Sequence, residues 1–164
     1  MVPLWAVIAI PFNMIYGIAQ KHGVDPLLVA AMVWKESRGD CLASRHEAHY
    51  NDDWLVEPEK YARKFLLEVE HEKYLQKTSW GYMQVMGATA RWLGFTGQHP
   101  KLTQPNVGLE YGCKYLKRQL DRYKVTTDAI AAYNAGSVRK NGMGQYINAD
   151  YVRDVMGYYK ELAG

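Results

Sequence analysis

The apolar run "VDPLLVAAMVW", residues 24 to 34, ends on Lys35, Glu36 and Ser37, with Gly39 two residues beyond. If the run is helical, the Glu36 carboxyl stands at a helix C-terminus and faces the negative end of the macrodipole. Met32 and Val33 lie one turn back, so the side chain projects along an apolar wall, and desolvation acts in the same direction. Both effects disfavour the charged form. They are what a glutamic acid needs if it is to hold a proton near neutral pH and donate it. The same residues also fit a solvated glutamate beside Lys35 that does no chemistry. Perturbed carboxyls are only probabilistic markers of a site, so these residues alone leave the two readings level.

The elements that must position Glu36 read as helices. Within 13–22, Ile15, Ile18, Ala19 and His22 share a face and Gly23 closes the segment. Asp25 stands as N-cap and Pro26 at the first position of the next helix. That helix is apolar around most of its circumference from Leu27 to Trp34, the mark of a buried central helix. Residues 58–76 read as one helix with Tyr61, Ala62, Phe65, Leu66 and Val69 inward and charge outward. A helix over 106–123 shows Gly112, Leu116, Leu120 and Tyr123 on one face. Thr127 or Asp128 is expected to cap a short helix that Gly136 stops. The last helix repeats Val152, Val155, Tyr159 and Leu162 at helical spacing. Between the last two, "SVRKNGMGQ" (137–145) is glycine-punctuated loop. The expected fold is mostly α, a single helical domain over 1–164 with at most a small β-hairpin.

Composition bounds the function. The 164 residues are one domain's worth, 48% hydrophobic and 23% charged. A net charge of +3 is too mild to argue for nucleic acid but suits an anionic polymer such as cell wall. Tyr (13) and Trp (5) outnumber Phe (3), which supplies flat apolar faces with polar tips for sugars or peptides. Ordinary half-buried core is the commoner use of such residues. Cys41 and Cys113 match no metal spacing; they pair if the fold brings them together and otherwise remain free thiols. The apolar segment 1–12 lacks a basic n-region and a cleavage site, so it reads as a packed leader and not as an export signal. It is too short to span a bilayer, so stable membrane insertion is not expected.

Three more segments bear on Glu36: "SWGYMQVMGATARWLG" (79–94), "AAYNAG" (131–136) and "YVRDV" (151–155). With "WKES" and "PNVGLEYGCKYL", in this order, the chain resembles the soluble lytic transglycosylases, which are related to goose-type lysozymes and share the lysozyme-like helical fold. The resemblance covers roughly 13–160. An isolated "ES" carries no information and "GxMQ" little; the ordered set is specific. The resemblance implies that Glu36 is the single catalytic acid, with Ser37 ordering the turn. Gln84 and Met86 match substrate-cleft positions, and Tyr133 and Asn134 match the "YN" that faces the glutamate and the sugar. The residue types suit those roles. Amides such as Gln84 and Asn134 donate and accept to N-acetyl and hydroxyl groups, and a Tyr133 hydroxyl can support a carboxylate. The bland alternatives are core packing for Met86 and a helix C-cap for Asn134. The implied reaction is cleavage of the β-1,4 bond between N-acetylmuramic acid and N-acetylglucosamine in peptidoglycan glycan strands. It leaves a 1,6-anhydro end and calls for no metal or cofactor.

The chain departs from the family pattern between its "ES" and "GYMQ" motifs, where a charged insertion (38–78) replaces a short link. "ASRHEAH" places Arg45 where a serine is common, so that serine's role is not carried over. The insertion brings Glu47, Asp52, Asp53, Glu57 and Glu59. An inverting hydrolase needs a second carboxylate roughly 6.5–9.5 Å from the acid. Glu47 is the better candidate for contact with substrate or Glu36, with Arg45 beside it, although such segments are more often solvated faces. Two alternatives therefore stand beside the transglycosylase: a goose-type muramidase that hydrolyses the bond, and a non-catalytic wall-binding or virion module. A phage lysis or tail-associated origin fits the compact size, and a monomer is the default expectation.

Overall fold

A computed structural model describes residues 11–164; the expectation for the leader falls, but for its last two residues, outside them. The helices are α1 (Phe12–Lys21), α2 (Pro26–Ser37), α3 (Pro58–Phe65), α4 (Val69–Gln76), α5 (Gly87–Trp92), α6 (Pro105–Tyr123), α7 (Thr126–Ala135) and α8 (Ala149–Ala163). Three short strands, β1 (Ser44–His46), β2 (Thr78–Trp80) and β3 (Val85–Met86), form an antiparallel sheet in the order β1-β2-β3. Short 3₁₀ turns occupy Asp52–Trp54 and His99–Thr103. The mostly α architecture is as expected, while the sheet has one strand more than a hairpin. The additional strand, β1, lies in the charged insertion and pairs Arg45 with Ser79. Among the described residues, no helix is long and apolar enough to cross a membrane.

The chain forms two compact units: one takes the chain up to Gly39 and again from Cys113 to Gly164, and the other is Asp40–Gly112. The first is built on α2. Asp25 accepts from the Leu27 N–H at 2.8 Å and Pro26 occupies the first turn, as the sequence indicates. Every residue from Leu28 to Trp34 is buried, so this helix has no solvent face until its last turn. Its most extensive neighbour is α8, which buries Tyr151, Val152 and Val155. The α7 helix buries Ala129 to Tyr133 and ends on Gly136, whose φ of 78° is a left-handed conformation that glycine adopts freely. Thr127 and Asp128 do not cap it. The helix begins at Thr126 with Val125 at the cap position, and both side chains instead meet the Tyr146 hydroxyl, which donates to Asp128 at 2.5 Å and lies 3.0 Å from Thr127.

In the second unit, the single helix expected over 58–76 is two. Leu66 takes a left-handed φ of 56°, the Leu67 N–H closes back on the Ala62 carbonyl at 2.9 Å, and Glu68 is extended before α4 begins. Tyr61 and Ala62 point inward as expected, but Leu66 is 94% exposed. One charge points inward too. Glu72 is fully buried and faces Arg91 of α5, which is also buried. Arg91 satisfies all five of its N–H groups: Nε and Nη2 on the two Glu72 oxygens (3.1 and 3.5 Å), Nη2 also on His99 Nδ1 (3.3 Å), and Nη1 on the Phe95 and Gly97 carbonyls (3.0 and 2.6 Å). The guanidinium lies 3.9 Å from the Tyr61 ring centroid. Gln76 extends the network by donating to Glu72 and bonding both backbone polar groups of Val56. A buried ion pair is tolerated only with this degree of satisfaction.

His99 makes this network pH-sensitive. Burial first, and the Arg91 charge second, lower its pKa from 6.5 to about 3, and the Glu72 charge beside it is already committed to Arg91. Below pH 6.5 the unfolded chain binds a proton that the folded chain refuses until about pH 3. Stability is therefore full above 6.5 and is lost as pH falls through this window. Denaturant unfolding at pH 7 and pH 4.5 is expected to show a His99-dependent loss of about 3 kcal/mol. His99→Leu is expected to remove that component of the slope.

Candidate active site

Glu36 ends α2 one residue before its last member and is half-buried. Arg38 caps the helix in the left-handed region (φ 55°), and Ser37 donates back to the Val33 carbonyl at 3.2 Å, so the turn that carries Glu36 is tied locally. The Tyr151 hydroxyl of α8 donates a hydrogen bond to Glu36 Oε1. Tyr151 was legible in the sequence only as part of "YVRDV", and its contact with Glu36 follows from the packing of α2 on α8.

Tyr133, on α7, is buried in the same unit with its ring 4.9 Å from that of Tyr115. Its phenol is pushed well above the usual range, chiefly by burial and then by the charge of Glu36. Tyr151 is displaced in the same direction by burial, by the Glu36 charge and by its hydrogen bond to Glu36. Both groups therefore remain protonated and available as donors near neutral pH. Phenol donors favour the charged form of a carboxyl, in opposition to the dipole at the helix end. Asn134, the neighbour of Tyr133, is exposed, and its Oδ1 accepts from Asn148 at 2.9 Å.

The other candidates belong to the second unit. Gln84 sits at the end of the β2–β3 connection with φ 47°, and Gly81 begins that connection with φ 72°. A Cβ on Gly81 would lie 2.4 Å from the Leu102 carbonyl oxygen, so the first residue of "GYMQ" is glycine for both conformation and space. The Gln84 amide gives its protons to the carbonyls of Ala43 (3.0 Å) and Gly81 (2.9 Å), and its oxygen accepts from Ser79 (2.8 Å). The amide that was expected to face a sugar thus ties the connection to the chain before β1. Met86 is half-buried at the start of α5. Arg45 and Glu47 pair with each other at 2.6 Å, on and just after β1. Cys41 is half-buried and Cys113 buried, and neither is in a disulfide.

Residues 13–151 match the family described as Transglycosylase SLT domain. The chain belongs to this family. The match takes in Glu36, the "GYMQ" connection, Tyr133 and, as its last residue, Tyr151. Membership brings peptidoglycan as the substrate and a lytic-transglycosylase type of activity in general terms. No solved structure matches the chain.

Removing the hydroxyl that holds Glu36 tests the site. A hydrogen bond to a charged group is worth about 1.5–3 kcal/mol. Tyr151→Phe is therefore expected to slow peptidoglycan lysis by roughly 10- to 100-fold. Its thermal midpoint should stay close to that of the parent, because the ring and its packing are kept.

Proposed function

We propose that the protein cleaves the β-1,4 bond between N-acetylmuramic acid and N-acetylglucosamine with Glu36 as its one catalytic carboxyl, forming 1,6-anhydro ends. The observation that carries this reading is the hydrogen bond from Tyr151 to Glu36, in a unit where the buried Tyr133 phenol also senses the Glu36 charge. A carboxyl at an apolar helix end is suited to giving up a proton to a leaving group, and phenol donors are suited to the carboxylate that remains.

Glu36 protonates the glycosidic oxygen as the bond from the muramic anomeric carbon to that oxygen breaks. The muramic N-acetyl group assists at the anomeric carbon, which replaces a protein nucleophile. The Glu36 carboxylate then takes the proton from the 6-hydroxyl of the same sugar as O6 bonds to the anomeric carbon. The acid form of Glu36 is restored and no water is consumed. Tyr151 follows the carboxyl through both steps as a donor. Tyr133 and Asn134 are proposed as contacts around the reacting sugar.

On the second unit, Met86 is proposed as an apolar contact for the glycan and Gln84 as the residue that orders the strand before it. Arg45 and Glu47 are proposed as polar contacts. Their mutual ion pair at 2.6 Å already occupies one Glu47 oxygen, Oε1.

The test is mass spectrometry of muropeptides released from purified peptidoglycan. The parent is expected to yield anhydro ends, and Glu36→Gln none. Reducing ends, one water heavier, would instead establish a hydrolase of the muramidase type, and no release by either protein would leave the binding-module reading standing. In parallel, Glu47→Gln is expected to retain turnover to within about threefold, as befits an exposed pair. A loss of more than a hundredfold with Glu36 intact would mark Glu47 as a second catalytic carboxyl.

A further inference from the structure

The last turn of α2 is joined to one stripe of α8 by three polar contacts, of which only one is the Tyr151–Glu36 hydrogen bond. Tyr151, Asp154 and Tyr158 stand at i, i+3 and i+7 on α8, so they lie on one side of that helix. Asp154 meets Lys35, the neighbour of Glu36, at 2.8 Å. The Arg38 guanidinium donates to the Tyr158 hydroxyl at 2.9 Å and also lies over the rings of Trp34 and Tyr158. Lys35 additionally places its ammonium 5.7 Å from the centroid of the Tyr151 ring. Lys35 and Asp154 are only 24% and 30% exposed, which separates this pair from the solvent-facing ion pairs of the chain. Arg153 backs Asp154 at 3.0 Å and binds Asp150 at 2.6 Å.

We propose that Lys35 and Asp154 are positioning residues for Glu36: their ion pair fixes the register of α2 against α8 at the Tyr151 contact and keeps the charge around the acid balanced. This rests on the reading of Glu36 as the catalytic acid. The clamp works in two ways. Geometrically, adjacent residues of α2 hold two residues of α8 that share a face, so the Tyr151 hydroxyl cannot slide along α8 relative to Glu36. Electrostatically, Lys35 and Arg153 offset Asp150 and Asp154. Two phenols, Tyr133 on α7 and Tyr151 on α8, interact with Glu36, and the Lys35–Asp154 pair, backed by Arg153 and Asp150, stands beside that contact. Arg38, on its own helix, is turned to Tyr158, and Tyr115 and Cys113 of α6 lie behind Tyr133.

The balance gives the proposal a signature that loose packing would not produce. Asp154→Asn leaves one uncompensated positive charge beside the acid, which favours its carboxylate. Lys35→Met leaves one uncompensated negative charge, which favours its protonated form. The alkaline limb of the pH profile reports loss of the protonated acid. The experiment measures kcat and KM against pH on solubilised peptidoglycan for the parent, Lys35→Met, Asp154→Asn and Glu36→Gln, with a thermal midpoint for each. Asp154→Asn is expected to move the alkaline limb to lower pH and Lys35→Met to higher pH, each by on the order of half a unit. Both are expected to lower kcat several-fold with KM little changed.

Limbs that stay in place, or that move together in one direction, overturn the clamp when Glu36→Gln is inactive. Activity in Glu36→Gln overturns the assignment of Glu36 itself, whatever the limbs do. Asp154→Asn is nearly isosteric and keeps a hydrogen-bond acceptor for Lys35, so its limb shift decides the matter even if Lys35→Met does not fold.

Discussion

A hydrogen bond from a buried phenol to a carboxyl at a helix end is the interaction around which the first unit is arranged. Glu36 sits at a helix end, where the dipole disfavours its charge, and under the proposed reading it carries that charge during a reaction cycle. Tyr151 resolves the conflict by giving the carboxylate a donor that stays protonated near neutral pH. This places a demand on the rest of the unit. The donor comes from a helix more than a hundred residues away in sequence, so α2 and α8 must meet in one register only. The burial of Leu28 to Trp34 on one side and of Tyr151, Val152 and Val155 on the other supplies the cohesion. The polar contacts at the end of α2 supply the register.

The second unit meets a similar demand by different means. Its helices are short and highly charged on their surfaces, and much of their mutual orientation passes through a single buried guanidinium. Arg91 links α5 to α4 through Glu72, to the chain around Phe95 and Gly97, and to the 3₁₀ turn through His99. A planar fork with five donors can join that many partners in one arrangement, which a lysine cannot do. A similar economy governs the "GYMQ" connection. Gln84 is held in the left-handed region, and its amide is used entirely on backbone and Ser79. A residue type that suits sugar recognition is here also the means of building a tight turn, and the motif spacing alone does not distinguish the two uses.

Several features were open to reading from the chain. The start of α2 was legible because Asp25 and Pro26 act within one turn. The ends at Gly23 and Gly136 were legible because glycine is the residue that tolerates positive φ. The break at Leu66 was hidden for the complementary reason: a leucine adopts the left-handed conformation there, and no glycine or proline marks it. The inward turn of Glu72 was hidden because a carboxylate among lysines and glutamates looks solvated until its arginine is known. Thr127 and Asp128 are good capping types, but Tyr146 engages both, and that tyrosine arrives from a loop later in the chain.

The sequence by itself determined the helical class and the family and singled out Glu36 as the candidate acid, since local caps, periodicity and an ordered set of motifs are properties of the chain read along its length. Tertiary structure alone decided which groups surround Glu36. Tyr151 and Tyr133 come to the carboxyl from helices that only packing brings together, and Lys35 finds Asp154 across the same contact. Hydrogen bonds and desolvation act over a few ångströms in space with no regard for sequence separation. The candidate acid was therefore named by the chain, and its partners were settled by the fold.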